Sequence, residues 1–262
     1  MAEFSDYFKN PKPIIGMIHL PPLPDYANSK GIDYAISHAL ADLRLLAEGG
    51  VDGVLVENEY DRPHRVTAAP ETIEAMTQIT QAVVQESDSI VVGCEILLND
   101  PQASLAVAKA SGAAFIRTDY FVDRMTRPEF GEFHIDPDAL IAYRSEIAAD
   151  DVLILADIQV KYATMIEPRS MQESARLACA KGADAIVVTG DESGDAPTAQ
   201  HLRDASGCGA PVLIGSGLNP ENAATLLAEC DGAIVGTSIM RKQSVAPDKL
   251  ELLMSQLKRD TG

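Results

Sequence analysis

The chain has 262 residues, 46% of them hydrophobic and 23% charged, with no Trp, which is enough apolar material for a sizeable core. Its net charge of −18 repels nucleic acid and anionic lipid, so no nucleic-acid polymer is expected as a partner. No apolar run reaches the ~18–20 residues of a spanning helix and the segment 1–12 lacks a signal-peptide core, so the expectation is a cytoplasmic protein without integral membrane association.

Along the chain, short β-branched runs alternate with helical patterns. The predicted strands are Ile14–Ile18, Gly53–Glu57, Ile90–Ile96, Ala114–Thr118, Val152–Asp157, Ala185–Thr189, Val212–Gly215 and Ala233–Gly236. The helical patterns that follow are Asp33–Glu48, Pro70–Gln85, Pro101–Ser111, Pro137–Ile147, Ser170–Lys181, Pro197–Ala205, Pro220–Glu229 and Pro247–Leu257. Asp100-Pro101, Asp136-Pro137 and Asn219-Pro220 read as an N-cap followed by a first-turn proline. "EGGVDG", "ASGAAF", "AKGADA" and "ECDGAI" repeat one helix–turn–strand junction. Runs apolar on both faces belong to a parallel sheet covered by helices. Eight such units predict a single α/β domain over 1–262, a (β/α)8 TIM barrel, with a doubly wound sheet as runner-up. Residues 1–12 form an N-terminal extension, and 120–134 an inserted loop after the fourth strand. Cys94, Cys179, Cys208 and Cys230 show no zinc-ligand spacing and read as reduced thiols.

In such a barrel the chemistry lies at the C-terminal strand ends. Those ends carry His19; Glu57, Asn58 and Glu59; Glu95; Arg117 and Asp119; Asp157, Gln159 and Lys161; and Thr189. Lys161, Asp157, Glu57, Glu95 and His19 are the candidate catalytic residues. The structural alternative is a set of ion pairs closing the mouth, such as Glu57 or Glu95 with Arg117 and Asp157 with Lys161. His64, in "DRPHR", is either a solvated loop residue or part of a lid over an anionic substrate. No local metal motif exists and no cofactor is assigned, although His19, Glu57, Glu95 and Asp157 could between them hold a divalent metal.

The last two strands end in Gly215-Ser216-Gly217 and Gly236-Thr237-Ser238. Small residues there let a ligand approach the backbone, and turn N–H groups and helix N-termini suit an anion. These six residues, with Arg117, Asn58 and Thr189, are the expected binders of a phosphorylated small molecule.

Four stretches, "PIIGMIHLPPLP", "GVDGVLVENEYDRP", "ADIQVKYA" and "GSGLNPENA" with "DGAIVGTSI", resemble the BtpA/SgcQ family over nearly the whole chain. The resemblance implies a barrel of the ribulose-phosphate-binding type. Cyanobacterial members are linked to photosystem I biogenesis as peripheral thylakoid proteins. Bacterial relatives sit with sugar-metabolism genes, and some carry a nucleotide-hydrolase label. The expected function is therefore an enzyme acting on a sugar phosphate or nucleotide, by lyase, isomerase or glycosidic-bond chemistry. The alternative is a non-catalytic assembly factor of the photosystem type. Homo-oligomerisation is left open.

Overall fold

The eight apolar runs close on one another. In a computed structural model, which describes residues 2–192 and 194–259, they form an eight-stranded, all-parallel closed barrel. Its strands are β1 Ile14–His19, β2 Gly53–Glu57, β3 Val91–Glu95, β4 Phe115–Thr118, β5 Leu153–Ile158, β6 Ala185–Val188, β7 Val212–Ile214 and β8 Gly232–Val235. The last strand closes onto the first, Ile14 against Ala233 and Ile15 against Ile234. Nearly every strand residue is buried, because helices cover the outside and side chains fill the inside. That is why the runs are continuous rather than alternating.

The helices are α1 Ile32–Gly49, α2 Pro70–Glu86, α3 Pro101–Ser111, α4 Pro137–Glu146, α5 Met171–Ala180, α6 Ala199–Ala205, α7 Ala223–Leu227 and α8 Pro247–Arg259. Their starts follow the expected chemistry. The Asp100 side chain accepts from the Ala103 N–H, and Asp136 accepts from those of Asp138 and Ala139. Ser170 and Glu173 form a reciprocal capping box at α5. The seventh helix departs from expectation, being much shorter than Pro220–Glu229. Asn219 Oδ1 accepts from the N–H groups of Glu221 and Asn222, a local turn that competes with the helix, so Asn222 rather than Asn219 precedes the first helical residue.

The N-terminal extension is a plug. Phe4–Tyr7 forms one helical turn, and the ring of Phe8, which is buried, lies 6.0 Å from that of Phe115 at the barrel floor. Phe115 fills the space opposite Gly93, where a Cβ would stand 2.2 Å from the ring.

The segment expected as a loop over 120–134 is instead a cap. Met125–Arg127 pairs antiparallel with Gly131–Phe133 on one side and Thr164–Met165 on the other. Beneath this small sheet lies a core of its own: Leu98, Tyr120, Met125, Phe133 and Val160. Asp123 ties the cap to the barrel, accepting from the Gln159 N–H at 3.0 Å and Ser174 Oγ at 2.8 Å. Sequence periodicity misses the cap because its strands are three residues or fewer. All four cysteines are free, Cys94 and Cys230 buried, Cys179 and Cys208 half-buried. Among the described residues no helix is long and apolar enough to cross a membrane.

Candidate active site

Register brings the central groups together. His19 lies beside Glu57, and Glu57 beside Glu95. Gly93 pairs with Phe115, so Arg117, two residues on, reaches the level of Glu95. Arg117 binds Asp157 through two parallel hydrogen bonds, Nε to Oδ2 at 2.7 Å and a terminal nitrogen to Oδ1 at 2.8 Å. Its Nε also lies 3.9 Å from Glu95 Oε2. The expected pairing of Asp157 with Lys161 is therefore replaced by Asp157 with Arg117, whose planar fork matches a carboxylate where an ammonium cannot. Lys161 instead lines the cavity and, among the described residues, makes no hydrogen bond or ion pair.

A single buried guanidinium cannot neutralise three buried carboxylates, so protons make up the difference. Burial pushes Glu57 up to about 7, aided by the charge of Glu59 and opposed by Arg117. Glu95 is raised well above its ordinary value, first by burial, with Arg117 opposing and the charges of Glu57 and Asp157 adding. The two carboxyl groups stand side by side in register on neighbouring strands, so ionising one makes ionising the other harder and the pair titrates as a unit. Asp119 keeps an edge on the cavity, yet loss of hydration pushes it up to about 8, with the charges of Asp157 and Glu95 adding. His19 Nε2 stands 3.4 Å from Glu57 Oε2. Burial lowers its imidazole to about 4, so it is neutral at pH 7.

These groups open into a cavity of about 930 Å³ at the C-terminal mouth. Six of the chain's 21 Lys and Arg residues line it (Arg62, Arg117, Arg127, Lys161, Lys242 and Lys249). On a chain of net charge −18, that concentration makes the mouth the place where an anion is drawn in. Both glycine turns form part of its wall. Among the described residues the N–H groups of Gly217, Gly236 and Thr237 meet no acceptor. Gly217 has φ 75°, and a Cβ there would stand 2.2 Å from the Ala196 nitrogen, so only glycine fits.

Several expected site residues sit elsewhere. The Ser216 hydroxyl donates to the Asp195 carbonyl at 2.8 Å and accepts from the Gly190 N–H at 3.2 Å; it pins the loop after β6. The helix after β7 begins only at Ala223 and has five residues, so an anion here would rely on the turns themselves. Asn58 is fully buried behind the wall, donating to Asp61 Oδ2 at 2.9 Å and accepting from the Leu97 N–H at 2.7 Å. Thr189 is buried beyond the end of β6 and packs toward Gly215, and neither it nor Asn58 lines the cavity. Asp157 stands behind Arg117 and does not line the cavity either. Its turn toward Arg117 breaks up the four-residue metal set, and among the described residues no three His, Cys, Asp or Glu side chains are placed to hold a metal ion. The cavity adds Asp119, Arg127, Lys242 and Lys249. Of these only Asp119 was visible as a strand-end residue, without a role; the others come from the cap, a hairpin turn and α8, where no strand-end rule points.

The raised carboxyls set a pH dependence of stability. In the unfolded chain Glu57 and Asp119 lose their protons near pH 4, but in the folded chain only near 7 and 8. Between those values the folded state holds more protons, so stability falls as pH rises. His19 acts in the opposite direction below pH 6.5, where only the unfolded imidazole is charged. The melting temperature should therefore decline from pH 6 to pH 8.5, and Asp119→Asn should flatten the upper part of that decline. An equally steep curve in the variant would contradict the assignment.

A closed (β/α)8 barrel with a titratable ring beneath two glycine turns places this chain in the class of barrels with a polar mouth at the C-terminal strand ends. Solved structures of the same fold include thiamine phosphate pyrophosphorylase from Pyrococcus furiosus (TM-score 0.59, 18% identity, covering 97% of this chain and 99% of that one). The N-(5'-phosphoribosyl)anthranilate isomerase of Pyrococcus furiosus is another (TM-score 0.58, 12% identity, 95% and 99%). At such identities the likeness is one of fold. The chain belongs to the BtpA family, whose family model matches residues 10–259. A relative from Archaeoglobus fulgidus is 35% identical over 248 residues, 94% of this chain and 99% of its own length. The photosystem I biogenesis protein BtpA of Synechocystis is 34% identical over 243 residues, 91% and 84% respectively.

Proposed function

We propose that this protein is an enzyme acting on a small phosphorylated compound, a sugar phosphate or nucleotide, by lyase or isomerase chemistry. The observation that carries the reading is the buried, register-paired carboxyls of Glu57 and Glu95, open to the same cavity as the N–H groups of Gly217, Gly236 and Thr237, which meet no acceptor among the described residues. The names of the solved barrels of like fold, a phosphate pyrophosphorylase and a phosphoribosyl isomerase, support it by analogy.

In this reading the two turns hold the phosphate, with Ser238 and the ammonium groups of Lys242 and Lys249 beside it. Glu57, with a pKa of about 7, can take a proton from a substrate carbon or hydroxyl and return it near neutral pH. Glu95 serves as the reservoir that shares that proton. Neutral His19 donates to, or accepts from, an oxygen that develops charge. Lys161, whose ammonium acts on Glu57 and Asp119 and has no hydrogen-bond partner among the described residues, stabilises the resulting oxyanion. Arg117, fixed by Asp157, opposes the rise of both carboxyls and so favours loss of a proton from the pair.

A thermal-shift screen of sugar phosphates and nucleotides, with and without divalent cations, tests the reading. At least one compound should raise the melting temperature, and Gly217→Ala should abolish that shift, since the added Cβ displaces the turn. Hits should then be assayed for turnover, with Lys161→Ala expected to lose it while remaining folded. A screen with no phosphorylated ligand, or a hit indifferent to Gly217→Ala, would remove the main support.

A further inference from the structure

At the mouth, the loop after β2 and the cap sheet present two buried polar atoms without hydrogen-bond partners among the described residues. They are His64 Nδ1 and Arg127 Nε. The guanidinium of Arg62 contacts His64 Nε2 and pairs with Glu59 at 2.7 Å. A guanidinium only donates, so the neutral tautomer that suits this neighbour is the one with Nε2 free to accept and the proton assigned to Nδ1. His64 thus presents a buried N–H with nowhere to go. Arg127 is steadied by the rings of Phe130 and Tyr162, 5.8 and 5.9 Å from its guanidinium carbon. Its nearest carboxylate, the exposed Glu129, is 3.8 Å from Nε, beyond hydrogen-bond reach. His64 and Arg127 both line the cavity. Buried donors are costly to leave unpaired, and these two belong to residues that face a cavity rather than the core.

We propose that this rim is a second anion subsite, which takes a second acidic group, carboxylate or phosphate, of a substrate whose phosphate end lies at the glycine turns. The substrate is thus acidic at both ends. The phosphate end rests on the function proposed above; the second subsite rests on His64 and Arg127. Burial, with the charges of Arg62 and Arg127, lowers His64 to about 4, so the subsite works through one neutral N–H and one guanidinium. Charge-assisted hydrogen bonds of this kind orient an acidic oxygen pair.

Calorimetry with matched probes tests this. Glucose 6-phosphate carries one acidic group, 6-phosphogluconate adds a carboxylate, and gluconate has the carboxylate alone. Ribose 5-phosphate against ribulose 1,5-bisphosphate makes the same comparison with a second phosphate. In the wild type, the second acidic group should tighten binding about ten-fold or more in at least one pair. Arg127→Gln should erase that gain, weakening binding of the doubly acidic compound far more than that of the monophosphate, while Arg127→Lys should keep part of it. Melting curves of both variants confirm that the cap is folded. A gain that survives Arg127→Gln, or no gain in any pair, overturns the subsite. If glucose 6-phosphate fails to bind while gluconate binds in an Arg127-dependent way, the phosphate reading falls and the second subsite stands.

Discussion

Replacing Glu57 by Gln should lower turnover of a substrate found by the screen by about 10²–10⁴-fold, with no loss of stability. The two outcomes come from the same physics. Glu57 is buried against Glu95 and has a carboxyl pKa near 7, so its ionised form is disfavoured in the fold. Gln has the same shape, carries no charge, and can donate through its amide to Glu95. The packing of the two side chains therefore survives, and the cost of burying a second negative charge disappears. What is lost is the proton. Below about pH 7 the wild-type pair is protonated and inactive as a base, so the rate should fall on the acid side; the residual rate of Glu57→Gln should lack that limb. The decline of melting temperature from pH 6 to pH 8 should also become shallower, a readout that needs no substrate. A variant with wild-type turnover, or with the acid limb intact, would remove Glu57 from the chemistry.

How much of this was readable in advance depends on what kind of signal each part leaves. The barrel is written in repeated junctions and continuous apolar runs, and the eight strands fall within a residue or two of where periodicity puts them. Strand-end position also found His19, Glu57, Glu95, Arg117 and Lys161, since inward alternation at the last residues of a parallel strand puts a side chain into the mouth. It could not say who pairs with whom. Asp157 and Lys161 are close in sequence, but Asp157 meets Arg117 on the neighbouring strand at 2.7 Å, because the stagger between strands decides the partner. Asn58 and Thr189 failed for a related reason: each follows an inward residue, or ends a strand, yet points into the wall. Arg127, Lys242 and Lys249 reach the cavity from segments whose path is set by tertiary packing, such as the small core under the cap. No local pattern encodes that.

Arg117→Met should be the most destabilising of the changes considered, by about 3–5 kcal/mol at pH 8. The side chain is 6% exposed and Asp157 is 1% exposed, so removing the guanidinium leaves Asp157 and Glu95 in a low-dielectric interior with no counter-ion. Part of the loss should vanish at pH 5.5, where the orphaned carboxyls can take up protons, and urea unfolding at the two pH values measures the difference. Arg117→Lys should recover little, since one ammonium cannot make both hydrogen bonds to Asp157. The double variant Arg117→Met, Asp157→Leu should be far more stable than the single one, because an apolar pair of similar volume costs little where a lone buried charge costs much. If Arg117→Met unfolds at nearly the wild-type urea concentration at pH 8, the pair is not what balances the charges. If the double variant folds but binds and turns over nothing, the ion pair is retained for the field it sets around Glu57 and Glu95 rather than for stability. In that case the protonation of the catalytic pair depends on an ion pair whose carboxylate half, Asp157, lies behind the cavity wall.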